Sequence, residues 1–142
     1  VAPDGPVYQA GTLSGNPVAM AAGIAQLSEC AKEGFYEDQE ARTKEFASKI
    51  NAHAAARGYD FEMVHIGSIF WLSFAGKKRI TKADQIDPDM SMFKHLFASL
   101  LERGVYIGPS GYEVGFVSAA HSREVLASAA EAFCESLDEI YS

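Results

Sequence analysis

Residues 104–122 read GVYIGPSGYEVGFVSAAHS. Their order is a glycine, three β-formers, a Gly-Pro-Ser-Gly group, a second apolar run and a serine ahead of a helical pattern. That predicts a brief strand over residues 105–107, a turn over 108–111, a strand over 114–118 and a helix capped by Ser122. Upstream, Phe93, Leu96, Phe97, Leu100 and Leu101 recur at i, i+3, i+4, i+7 spacing. They predict an amphipathic helix over 90–103, stopped by Gly104. Downstream, Leu126, Ala130, Phe133, Leu137 and Ile140 share one helical face. Five acidic residues from Glu124 to Glu139 share the other, as a solvated face would.

Further outward, residues 61–66 and 69–74 are short β-like runs split by Gly67-Ser68. Ile69, Phe70, Trp71 and Leu72 are apolar on both alternations, as in a covered central strand, so Trp71 reads as core. Residues 76–89 are polar and charged, a surface connection. Residues 37–57 predict a helix with Phe46, Ile50 and Ala54 inward and Gly58 at its end. The layout is helices packed on one face of a small sheet, in the α/β class with an α+β small domain.

The first 31 residues differ in character. Residues 1–16 are rich in Gly and Pro and read as loop. Ser14 or Asn16 is placed to cap, and Pro17 to open, a helix over 18–31 that is apolar nearly all round and therefore expected to be buried. The first residues also read as an interior piece of a longer chain.

Composition bounds the function. The 142 residues are 48% hydrophobic and 22% charged, the balance of a globular chain. With 12 Lys+Arg against 19 Asp+Glu the net charge is −7. No cation occurs before Lys32 or after Arg123, so no basic stripe exists for nucleic acid or an anionic membrane. No apolar run reaches the roughly 20 residues that a bilayer span needs. Cys30 and Cys134 lack metal-ligand spacing and fit a reducing, cytoplasmic setting. The expected partners are a small-molecule substrate and a second subunit, with no metal.

Chemistry could reside in few places. Residues 11–17, Gly-Thr-Leu-Ser-Gly-Asn-Pro, lead into a helix, and backbone amides plus a threonine hydroxyl are phosphate donors. No Lys or Arg is nearby, so neither a Walker loop nor a G-x-G-x-x-G fingerprint is present, and a plain Gly/Asn turn explains the string equally. His53 reads as an exposed helix residue, His65 as a strand residue and His95 as polar-face, none with a ligand-spaced partner. His121, beside the Ser122 cap, reads as a structural hydrogen-bonding residue. A loop carboxylate such as Glu113 is by itself ordinarily solvated.

Residues 7–23 read VYQAGTLSGNPVAMAAG. Together with residues 104–122 this string resembles two segments, in the same order, of the class-III aminotransferases, a family of pyridoxal-phosphate (PLP) enzymes. Thr12, Gly15, Asn16 and Pro17 carry the Thr-x-x-Gly-Asn-Pro core of the class. The preceding Tyr8-Gln9-Ala10-Gly11 is more particular to its glutamate-1-semialdehyde 2,1-aminomutase branch. Gly111, Tyr112 and Val114 depart from that branch, which more often has Ala, Phe and Ala there.

The resemblance implies the C-terminal region of a fold-type-I PLP-dependent transferase. Residues 1–35 would end the large cofactor domain, and residues 36–142 would form the small C-terminal domain. It implies conversion of glutamate-1-semialdehyde to 5-aminolevulinate, a tetrapyrrole precursor, with pyridoxal or pyridoxamine 5'-phosphate as cofactor. The Gly11 amide and Thr12 hydroxyl would bind the cofactor phosphate in trans, across a homodimer. Tyr8, Gln9 and Ser14 would border the substrate pocket, and Glu113 would govern access to it. The family's Schiff-base lysine is expected upstream of Tyr8. Lys32, Lys44, Lys49, Lys77, Lys78, Lys82 and Lys94 all lack its Gly-rich strand-end context. No catalytic residue is therefore assigned within these residues, and the chain alone is expected to be inactive and to retain no cofactor. Another class-III ω-aminotransferase and a non-catalytic interaction domain are the alternatives.

Overall fold

The computed structural model describes residues 1–8, 10–75 and 80–142. The chain divides into two units, Val1–Phe35 and Tyr36–Ser142.

In the first unit, α1 spans Pro17–Cys30. Pro17 supplies a preset φ for the first turn, and Asn16 is the cap. Its Oδ1 accepts from the amides of Val18 (3.0 Å) and Ala19 (3.1 Å). The burial expected of so apolar a helix is read as packing within a larger cofactor domain; among the described residues no residue of α1 is buried. Val18, Met20, Ile24 and Leu27 are all more than half exposed. The helix forms on the propensity of Ala, Met and Leu together with its cap, both local effects that need no packed partner.

In the second unit, α2 (Phe35–Arg57), β1 (Glu62–Ile66) and β2 (Ile69–Ser73) follow in order. The hairpin turn places Gly67 at φ +53°, which a side chain disfavours. A single 3₁₀ turn (Ala83–Gln85) precedes α3 (Ser91–Glu102), then come β3 (Gly115–Phe116) and α4 (Arg123–Ile140). The sheet is antiparallel in the order β1-β2-β3. In register, Met63 faces Leu72, and Ile66, Ile69 and Phe116 form one cross-strand row.

Met63, Phe70 and Leu72 turn to the helical side of the sheet and are buried with Phe46, Ile50, Leu96, Leu100, Phe133 and Leu137. The Phe46 ring meets Phe70 and Phe133 edge-on, at centroid distances of 5.9 and 5.8 Å. Such pairs add to simple area burial. Val64, Ile66, Ile69 and Phe116 lie on the other face and are exposed.

Two expected strands change. Residues 105–107 pair with no strand among the described residues. Gly104 (φ +77°) turns the chain out of α3, and the Val105 amide donates back to Leu100 O at 2.9 Å. Val105 and Ile107 then pack on the core instead of joining a ladder. The strand expected over 114–118 keeps only Gly115–Phe116 as a ladder with β2, and the Val117 amide bonds Ser68 O at 2.8 Å.

The acidic side of α4 is not a simply solvated face. Asp138 pairs with α2, Glu139 and Glu135 with Arg103 at the end of α3, and Glu131 with Lys49.

Candidate functional site

The residues assigned by resemblance fall on both units, and each unit has its own geometry. In the first, Thr12, Leu13, Ser14 and Gly15 form a turn ahead of α1, with Ser14 N donating to Gly11 O (3.1 Å) and Asn16 N to Leu13 O (3.0 Å). A methyl at Gly11 would sit 2.8 Å from Ser14 Oγ, so the serine hydroxyl lies over the glycine. Thr12 is exposed, and among the described residues its hydroxyl has no partner. Tyr8 is exposed as well. Gln9 lies outside the described residues. Because Asn16 already occupies two first-turn amides of α1, phosphate-binding capacity in this segment rests on Gly11 and Thr12.

In the second unit, the loop of residues 108–113 carries Glu113. Its amide donates to Ser110 O (3.0 Å), and the Tyr112 amide to Ser110 Oγ (3.3 Å). The Glu113 side chain folds against Gly108, where a methyl group would collide with it. The carboxylate is nonetheless exposed. Gly111, by contrast, is buried, and the Trp71 indole Nε1–H donates to its carbonyl at 2.9 Å. Trp71 is half-buried but, contrary to the core role read from the sequence, lies outside the core cluster, on the face of β2 opposite Phe70 and Leu72, with a polar duty that its apolar neighbours concealed in the sequence. Below this loop, Trp71, Phe74, Met90, Phe93 and Gly111 line a cleft of about 140 Å³. On its polar side, hydrogen bonds from Ser91 hold the Asp89 carboxyl below the usual range.

The histidines divide. His53 departs from expectation, being half-buried with Nε2 2.8 Å from Asp138 Oδ1, because α4 lies alongside α2 there. The Tyr59 hydroxyl donates to the same oxygen at 2.9 Å. His65 Nδ1 is buried without a partner among the described residues, and His95 is exposed. His121 does the expected structural work: its Nδ1 accepts from Ser118 N (3.1 Å), and its carbonyl accepts from Arg42 Nη1 (2.9 Å). No group of His, Cys, Asp and Glu among the described residues could hold a metal ion. Cys30 and Cys134 are both free thiols, and burial pushes the Cys134 thiol up. No helix among the described residues is long and apolar enough to cross a membrane.

This arrangement of four helices and a three-stranded antiparallel sheet is that of transaminase C-terminal domains. A solved transaminase with PLP bound is 27% identical, at a TM-score of 0.74 over 94% of this chain and 30% of its own. An omega-transaminase from Sphaerobacter thermophilus is 16% identical, at 0.81 over all of this chain (100%) and 33% of its own. The FumI protein of Sphingopyxis sp. MTA144, in a PLP form, is 21% identical, at 0.74 over 95% and 30%. The chain spans about a third of the length of these structures. No family model matches it.

Proposed function

We propose that this chain is the C-terminal part of a PLP-dependent class-III aminotransferase, and within that family of glutamate-1-semialdehyde 2,1-aminomutase. The observation that carries the aminotransferase reading is the likeness to a PLP-bound transaminase over 94% of the chain at 27% identity. The finer reading rests on the resemblance of residues 7–23 and 104–122. Residues 1–35 then belong to the cofactor domain and residues 36–142 to the small domain. The free thiols suit a cytoplasmic enzyme.

The residues present suit a phosphate. Thr12 exposes a hydroxyl that has no partner among the described residues, and Gly11 offers backbone with no side chain of its own. No cation precedes Lys32, so these groups supply hydrogen bonds and not charge. Bound PLP would supply the electron sink for amine transfer at a substrate carbon. Gly11 and Thr12 hold its phosphate in trans in a homodimer, as directional donors that fix its orientation. Tyr8, Gln9 and Ser14 border the substrate, and Glu113 shapes its access from the 108–113 loop.

On this reading the chain alone has no turnover. Lys32, Lys44, Lys49, Lys82 and Lys94 are exposed, whereas a nucleophilic lysine needs a desolvated amine. Lys77 and Lys78 lie outside the described residues.

The test is the full-length protein carrying this chain, supplied with glutamate-1-semialdehyde alone. Formation of 5-aminolevulinate without an added amino acceptor is expected. Turnover only with an external keto acid would transfer the assignment to an ordinary ω-transaminase. No turnover under either condition would leave a non-catalytic interaction domain.

A further inference from the structure

We propose that Trp71 is a positioning residue for the Glu113 loop, acting through the backbone of Gly111; its functional meaning rests on the reading that Glu113 borders the substrate. Trp71 sits on β2, the central strand, whose place is fixed by ladders to β1 and β3. Its indole Nε1–H donates to the Gly111 carbonyl at 2.9 Å. From α3, Met90 and Phe93 close on the Gly111 Cα, where an added methyl would lie 3.1 Å from Phe93 Cγ. Gly111 is therefore clamped between the strand and the helix. A methyl at position 111 would require the Met90 side chain to move and Phe93 to give by a few tenths of an ångström.

From Gly111 the constraint passes to Glu113 within two residues. The Ser110 carbonyl and hydroxyl hold the amides of Glu113 and Tyr112, and Gly108 leaves room for the Glu113 side chain to lie back along the loop. A phenylalanine at position 71 would keep an aromatic ring, smaller than the indole, but could not donate, leaving a carbonyl of a buried residue unpaired.

Trp71 is the only tryptophan, so its indole proton is a single resolved signal in a ¹⁵N spectrum of the 142-residue chain. The experiment is amide hydrogen exchange on the wild type and on Trp71→Phe. In the wild type the indole proton is expected to exchange slowly. In Trp71→Phe the Tyr112 and Glu113 amides are expected to exchange about tenfold faster, with the core amides of α3 and α4 unchanged. An indole proton exchanging at the rate of a free tryptophan overturns the proposal whether or not the variant folds. Loop amides indifferent to the substitution, or protection lost equally throughout α3 and α4, overturn it too, because Trp71 would then be ordinary core. A freed loop combined with full turnover by Glu113→Gln in the full-length protein would remove the functional reading of Glu113 and leave the clamp standing.

Discussion

Asn51 on α2 and Met63 on β1 are joined by a two-way hydrogen bond, with Asn51 Nδ2 donating to Met63 O (3.0 Å) and Met63 N donating to Asn51 Oδ1 (2.7 Å). A side-chain amide here takes the part of a neighbouring strand. β2 satisfies one edge of β1, and α2 reaches across to satisfy the other at Met63. An edge strand left open there would present unpaired backbone groups to other chains. Asn51→Ala is expected to cost about 2 kcal/mol, since it removes two bonds from a buried residue's backbone. A urea midpoint unchanged by the substitution would show that water serves this edge as well as Asn51 does.

Asp138 sets the pH response of the α2–α4 contact. The His53 hydrogen bond first, and that of Tyr59 after it, holds the carboxyl below its ordinary 3.8, with desolvation opposing. Since the folded value is the depressed one, the stabilisation is present above 3.8 and is lost as pH falls through the lower folded value. Tyr59 gives the opposite limb. Its bond to Asp138 raises the phenol above 10.0, so that contribution holds below 10.0 and is lost as pH climbs through the raised value. Asp138→Asn should lower Tm at neutral pH and flatten both limbs of a Tm–pH curve. Part of the acid limb should remain, because Glu139, bonded by Ser99 and Arg103, is also held low. A variant curve parallel to wild type at both ends would contradict the linkage.

Gly115 is required by Phe70. A methyl on Gly115 would run into the Phe70 ring, which is buried in the core and braced edge-on by Phe46. Gly115→Ala is expected to destabilise the chain by about 1–3 kcal/mol, the usual cost of overpacking. Chemical denaturation measures this directly, and a loss below about 0.5 kcal/mol would mean that the two-residue β3 simply moves aside.

Thr12→Val keeps the side-chain shape and removes one donor from the loop proposed to hold the cofactor phosphate. In the full-length protein it should weaken PLP retention by about 1–3 kcal/mol. Cofactor absorbance after dialysis reads the effect, and retention equal to wild type would show that the phosphate role does not belong to Thr12.

Much of the fold was legible in local pattern. The period of Phe93, Leu96, Phe97 and Leu100 placed α3, Ser122 announced its cap, Asn16 proved to be the cap of the two candidates Ser14 and Asn16, and Gly67 and Gly104 marked the turns. Residues 105–107 show where pattern misleads. Three β-formers follow a glycine there, yet they join no ladder among the described residues, and it is Gly115–Phe116 that takes the free side of β2. Propensity states what a segment tolerates, and pairing depends on which partner arrives. The candidate site was legible in part. Its residues came from string resemblance, whereas the clamp on Gly111 by Trp71, Met90 and Phe93 has no sequence signal beyond an isolated glycine.

The helices, their caps and the hairpin turn are set locally, because each depends on groups within a few residues of one another. Folding alone brings His53 and Asp138, 85 residues apart, into a hydrogen bond. It likewise lets Asn51 complete a strand edge and an apolar-looking tryptophan donate to a loop 40 residues away. Such contacts require distant elements to be brought together by a common core. Their donors and acceptors are ordinary residues until burial removes water as the competing partner.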